Sequence, residues 1–185
     1  MQDNKKAFTL VELAVIVSIV ALMTVVLFAN YGKNSDTFAL ERAGQKLSQD
    51  LRRTQEMAMS GTDRASYASS NGYGIYFDNT SETTAKKYII YVNNNTNKYY
   101  DSASVADSIK ETINIDSGIR ICSIKDNSTT VTTLSVSFEP PDPLTYINSN
   151  YTAHEATITL CVIKNNAETR TIKINNIGRI EVTNP

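Results

Sequence analysis

The chain is poor in the residues from which most catalytic and metal sites are built. It has one histidine, His154, and two cysteines, Cys122 and Cys161, among 185 residues. A single histidine excludes any two-histidine metal motif. Two cysteines exclude a four-cysteine zinc site and a disulfide-dense miniprotein. Seven glycines exclude a collagen-like repeat. An excess of charge of either sign is lacking too. The 18 basic and 19 acidic side chains give a net charge of -1, which argues against nucleic-acid binding driven by bulk charge. The sequence contains no G-x-x-x-x-G-K-[ST], no G-x-G-x-x-G, no EF-hand loop and no G-x-S-x-G. No enzyme, cofactor or metal site is therefore expected, and His154, beside Glu155 in a polar stretch, reads as a surface histidine.

What is present is unevenly distributed. Apolar residues make up 41 % of the chain, and the mean hydropathy of -0.26 resembles that of a soluble protein. That average conceals the run from Phe8 to Ala29, FTLVELAVIVSIVALMTVVLFA, with no Gly, no Pro and a single charge, Glu12. As a helix it would reach about 33 Å, near the roughly 30 Å of a bilayer's hydrocarbon core. Val and Ile favour strands elsewhere, but a lone strand in lipid leaves its backbone groups unpaired, so a helix is expected. Lys5 and Lys6 precede the run, which predicts a cytoplasmic N-terminus and an extracytoplasmic remainder. A secretory signal peptide is the competing reading, but the run is long for one and no A-x-A site follows it.

Glu12 is anomalous, because a carboxylate at the centre of a membrane helix costs about 2.5–3.5 kcal/mol, less near an end. Either it sits near the interface, or it awaits a positive partner from another molecule.

Lys5-Lys6-Ala7-Phe8-Thr9-Leu10-Val11-Glu12-Leu13, leading into an apolar helix, resembles the signal of the type IV prepilin family, which comprises type IV pilins and pseudopilins. The resemblance implies cleavage between Ala7 and Phe8 by a prepilin peptidase and N-methyltransferase, and N-methylation of Phe8. The family's usual residue before the cut is Gly, and this chain has Ala7. The new amine on Phe8 would pair with Glu12 of a neighbouring subunit, a contact that sets register in low dielectric. The implied partners are that peptidase, other pilin or pseudopilin subunits, an inner-membrane assembly platform and the lipid bilayer.

Beyond Asn30–Asp36, where Ser35 or Asp36 could cap a helix, Leu40, Ala43, Leu47, Leu51, Thr54 and Ala58 recur at helical spacing. Glu41, Arg42, Lys46, Gln49, Asp50, Arg52 and Arg53 fall on the other faces. The Arg52-Arg53 pair reads as a solvated face. Gly61 stands where a C-cap belongs, and Gly44 weakens the helix locally. One long helix is expected, bent at Asn30–Ser35 if anywhere.

The remainder is rich in Thr, Asn, Ser, Ile, Val and Tyr. Strands are expected at Tyr73–Phe77, Tyr88–Val92, Thr112–Ile115, Ile119–Ile124, Val131–Phe138, Ala156–Ile163, Thr169–Ile174 and Arg179–Val182, with Asn165-Asn166 turning a hairpin. Glu139-Pro140-Pro141-Asp142-Pro143 should stop a strand. The fold class expected is α+β, with a long N-terminal helix, membrane-spanning in its first half and amphipathic in its second, packed on two small antiparallel sheets. The expected divisions are a leader at 1–7, a transmembrane assembly helix at 8–31, an amphipathic helix at 32–61 and a β-rich head at 62–185.

The closing pattern Arg170-Thr171-Ile172-Lys173-Ile174 and Gly178-Arg179-Ile180-Glu181-Val182, with the helix Glu41–Gly61, is similar to the H-type minor pseudopilins (the GspH/FimT family). That implies a minor structural subunit of a type IV pilus or a type II secretion-like pseudopilus. An alternative is a DNA- or surface-binding minor pilin of an uptake machine, with weak DNA contacts at Lys164, Arg170, Lys173 and Arg179. Their excess over Glu168 and Glu181 is small, and no aromatic for base stacking follows Tyr151. A third reading is a signal-anchored extracytoplasmic domain unrelated to pili. Cys122 and Cys161 fall in different expected strands, and either a disulfide or two unpaired core thiols would suit them.

Overall fold

The computed structural model describes residues 9–61, 71–94, 96–101, 107–140, 144–150, 152 and 154–183. The architecture is α+β: among the described residues, one long helix, α1 (Leu10–Ser60), is followed by ten strands in two antiparallel five-stranded sheets. Contacts divide the chain into two units, Met1–Asp36 and Thr37–Pro185.

In the first unit, the helical residues Leu10–Phe28 form a 19-residue segment of mean hydropathy 2.8 with none of its surface buried. Its polar side chains are turned back on the backbone. Ser18 Oγ donates to the Ala14 carbonyl and Thr24 Oγ1 to the Val20 carbonyl, both at 2.7 Å. Such bonds satisfy hydroxyls within the helix, so the segment's outer surface stays apolar. Ser35 and Asp36 lie inside α1 and open no helix. The local helix breakers each cost no more than about 1 kcal/mol, too little to interrupt a long cooperative ladder.

In the second unit, Leu40, Ala43, Leu47, Leu51, Thr54 and Ala58 are all buried, as their spacing implied. The helix ends at Ser60, and Gly61 takes a left-handed φ of 63° beyond it. One sheet runs in the order β3 (Ser108–Asn114), β2 (Lys87–Val92), β1 (Tyr73–Asp78), β6 (Thr133–Glu139), β7 (Leu144–Ile147). The other runs β10 (Ile180–Thr183), β9 (Asn165–Asn175), β8 (Glu155–Val162), β4 (Ile119–Asp126), β5 (Thr129–Val131). Alternate residues of both sheets join the helix stripe in one core, among them Ile75, Phe77, Ile90 and Val136 from the first sheet and Ile121, Ile158, Leu160 and Ile172 from the second.

Several boundaries depart from the sequence pattern. The run Val131–Phe138 is two strands. Val131 ends β5 opposite Ile124, whereas Leu134, Val136 and Phe138 face the core from β6 in the other sheet. A hydrophobic alternation cannot reveal a chain that changes sheet within it. The turn between β8 and β9 falls at Ile163 and Lys164, so Asn165 and Asn166 open β9. Strand β7, just beyond the proline-rich segment, was not expected although Thr145, Tyr146 and Ile147 all favour strands, because a run of four residues is too short to show an alternation. Pro141, Asp142 and Pro143 lie outside the described residues.

Two glycines have packing reasons. Gly44 lies against the side chain of Arg170, whose Cγ would be 2.7 Å from an added Cβ. Gly74 faces Tyr91 across β1 and β2, and a methyl there would overlap the Tyr91 ring, which is fully buried. Replacing a strand glycine with alanine normally gains up to about 1 kcal/mol, but overpacking a rigid ring costs about 1–3 kcal/mol. Gly74→Ala is therefore expected to lower the urea midpoint, and a raised midpoint would show that the ring can step aside.

Candidate functional site

The first turn of α1 places the one charge of the apolar run. Thr9 is the N-cap, its carbonyl accepting from the Leu13 amide at 3.1 Å. The Glu12 amide donates to Thr9 Oγ1 at 3.2 Å. In return, the Thr9 amide and hydroxyl each donate to Glu12 Oε2 at 3.3 Å. This reciprocal arrangement is a capping box, and the carboxylate also complements the positive end of the helix dipole. The signal for it, Thr-x-x-Glu before an apolar run, stands in the sequence at Thr9–Glu12, and the reading of Glu12 as a charge awaiting a partner passed over it. Glu12 thus has an intrachain role that needs no second molecule. Ala7 and Phe8, the expected cleavage and methylation positions, lie outside the described residues, as do Lys5 and Lys6.

Arg52 and Arg53 are exposed as expected, but Asp50, which falls off the apolar stripe, is buried. Asp50 is 8 % exposed, and its Oδ2 accepts from the Tyr88 hydroxyl at 2.5 Å. Burial, then the bond to the Asp50 carboxylate, pushes the Tyr88 hydroxyl well above the usual phenol range. Arg53 is exposed but not idle. It reaches Glu111 of β3 at 2.6 Å and Asp50 at 3.7 Å. Arg42 pairs with Asp116 at 2.6 Å. These contacts fix the second-unit part of α1 to the β3–β4 region.

Cys122 and Cys161 are joined by a disulfide, with alpha carbons 5.9 Å apart. The pairing of β4 with β8 shifts register between Ile121 and Ser123, leaving Cys122 as the extra residue of a bulge. The bulge turns its side chain toward β8, and the alpha-carbon separation falls in the range that a disulfide can bridge.

The four basic residues considered for DNA are not gathered into a free patch. Arg170 crosses Gly44, pairs with Glu41 at 3.5 Å and is 13 % exposed. Lys173 donates to Glu155 at 2.8 Å, and that carboxylate holds its ammonium above the usual range. Arg179 pairs with Glu181. Lys164 stands exposed in the turn between β8 and β9. Gly178, at φ 78°, makes the turn before β10, which begins at Ile180.

His154 was expected at the surface but is mostly covered. Its Nδ1 lies 2.7 Å from Asp126 Oδ1, while Asn148 Nδ2 donates to Asp126 Oδ2 at 2.9 Å. Asn148, at φ 47°, also accepts from the Ser135 amide at 3.0 Å. The group ties β4 in one sheet to β6 in the other and involves no nucleophile. Among the described residues, no three His, Cys, Asp or Glu side chains converge as a metal-ligand set.

The outward face of the first sheet is the richest constellation that sequence reasoning missed. Outward residues of β6 hold the segment Lys98–Tyr100 against it. Ser137 Oγ donates to the Lys98 carbonyl at 2.7 Å, Ser135 Oγ accepts from the Tyr100 amide at 3.0 Å, and Glu139 pairs with Lys98 at 2.6 Å. Tyr91 and Tyr100 pack with centroids 5.0 Å apart, and Tyr76 and Tyr100 at 4.7 Å. Beside them opens a cavity of about 230 Å³.

No family model and no curated protein matches the sequence. Among solved structures, the chain is similar to the type IV minor pilin FimU of Pseudomonas aeruginosa in two crystal forms, each at 17 % identity with a TM-score of 0.46. These matches cover 78 % of this chain and 92 % or 87 % of the other. It is also similar to the minor pseudopilin EpsH from the type 2 secretion system of Vibrio cholerae, at 11 % identity and a TM-score of 0.41, covering 79 % of this chain and 97 % of that one.

Proposed function

We propose that the chain is a minor structural subunit of a type IV pilus or a type II secretion-like pseudopilus. It is anchored in the cytoplasmic membrane by its N-terminal helix, with the C-terminal domain outside. Prepilin peptidase cuts between Ala7 and Phe8 and methylates Phe8, and the helix then packs among those of other subunits on an inner-membrane assembly platform. The observation that carries this reading is the helical segment Leu10–Phe28, apolar on every side, whose one charge, Glu12, sits in the first turn and within the prepilin-like motif. No described residue buries that surface, which suits a helix covered by lipid or by other helices. In the strand-rich unit, by contrast, the helix stripe and the inner faces of both sheets bury one another in a single core.

Mass spectrometry of the mature protein tests the pathway. A chain lacking its first seven residues and beginning with N-methylated Phe8 is expected. An intact Met1, or a new terminus near Ala29, would overturn it.

A further inference from the structure

The cavity on the outward face of the first sheet has a chemistry that the subunit role does not use. Its wall is the aromatic pair Tyr76 and Tyr100, tilted 39° to each other, and Ile89 lies beside them. Tyr100 is fixed in place through its amide on Ser135, so this wall exists before any ligand arrives. The polar groups are Asp78, Lys87 and Thr84. Asp78 is engaged by Thr80 through Oδ1 only, at 2.8 Å from the amide and 2.6 Å from the hydroxyl. The Lys87 amide donates to the Thr84 carbonyl, whereas its ammonium has no hydrogen-bond or ion-pair partner among the described residues.

We propose that this cavity binds a single neutral sugar ring. The aromatic wall offers electron-rich faces to the C–H side of a pyranose, as such faces do to the positive edges of other rings. The two flanking charges are of opposite sign. A cationic ligand would meet Lys87, and an anionic one would meet Asp78. A polyol uses both, donating hydroxyl hydrogens to the carboxylate and accepting from the ammonium, through charge-assisted bonds. About 230 Å³ admits one ring with some water and is below the range of drug-sized pockets. A ligand this small in a half-open site should bind with a Kd on the order of 1 mM.

The test uses the full chain in a non-glycosidic detergent, because sugar-headed detergents would compete. Saturation-transfer NMR is recorded with glucose, galactose, mannose and N-acetylglucosamine, and with choline and acetate as charged probes. At least one sugar is expected to bind, and neither charged probe. Tyr76→Ala should weaken that sugar at least about tenfold, and the milder Asp78→Asn and Lys87→Met several-fold each, while Lys164→Ala leaves it unchanged. Circular dichroism melting confirms that each variant is folded. Failure of all four sugars, binding that survives the three cavity substitutions, or choline or acetate binding in their place would each overturn the proposal. The outcome is independent of whether the chain is processed as a prepilin.

Discussion

Glu12→Gln is expected to insert in the membrane, to be processed, and yet to be lost from filaments. Glutamine preserves the capping box, since the side chain at that position may be Glu or Gln. Its amide can still accept from the Thr9 amide and hydroxyl as Glu12 Oε2 does. What it removes is the charge. If Glu12 neutralises the Phe8 amine of a neighbouring subunit, the substitution leaves that amine uncompensated in a low-dielectric contact, at a cost of about 3–5 kcal/mol. Incorporation should then fall by a factor on the order of 10²–10⁴. Glu12→Ala should assemble no better, because it loses both the charge and the cap. Membrane insertion should be unimpaired in both, since removing a carboxylate from an apolar helix eases its transfer to lipid. The measurement is the ratio of processed protein in sheared filaments to that left in membranes. Wild-type assembly by Glu12→Gln with loss in Glu12→Ala would reduce Glu12 to a helix cap.

Replacing both Cys122 and Cys161 with alanine is expected to destabilise the strand-rich unit by about 4 kcal/mol. The two are 39 residues apart in sequence, and closing a loop of that length in the unfolded chain accounts for about this much in the chain-entropy view. For a domain whose total stability is about 5–15 kcal/mol, that is a large share. The urea midpoint should fall in the double variant, and to a similar degree in the wild type under reductant. The compartment is read in the same experiment. An extracytoplasmic domain should resist alkylation until reduced, whereas thiols kept in the cytoplasm would be alkylated at once. An unchanged midpoint on reduction would show that the bridge constrains nothing.

The helix was the most legible part of the fold. Its stripe from Leu40 to Ala58 is set by one period, and every member is buried. Most strands were legible for the same local reason, since alternation at Tyr73–Phe77 or Ala156–Ile163 needs only its own residues. Contacts made between distant segments were not. Asp50 looks like a solvent-facing acid until Tyr88 is brought to it from 38 positions away. Gly44 reads as a defect until Arg170 arrives across it. The disulfide depends on a one-residue bulge that no pattern in β4 announces. The tyrosine-lined cavity draws residues from β1, the turn before β2, β2 itself and the segment Lys98–Tyr100, so no linear motif describes it. Thr9–Glu12 is the opposite case. Its capping signature is entirely local and was obscured by the more conspicuous question of a charge within an apolar run.

The disulfide also has a mechanical consequence. Both cysteines lie in one sheet, but the chain between them passes through β6 and β7 of the other. The covalent ring therefore encloses strands from both layers. A pull applied to the two ends of the chain travels through the sulfurs and bypasses the enclosed segment. About 130 Å of contour, 39 residues at roughly 3.3 Å each, cannot be drawn out while the bridge is intact. Under tension, the oxidised domain can lengthen only from the segments before Cys122 and after Cys161, which include its helix and β1, β2, β3, β9 and β10. Reduction would add that hidden length in a single step.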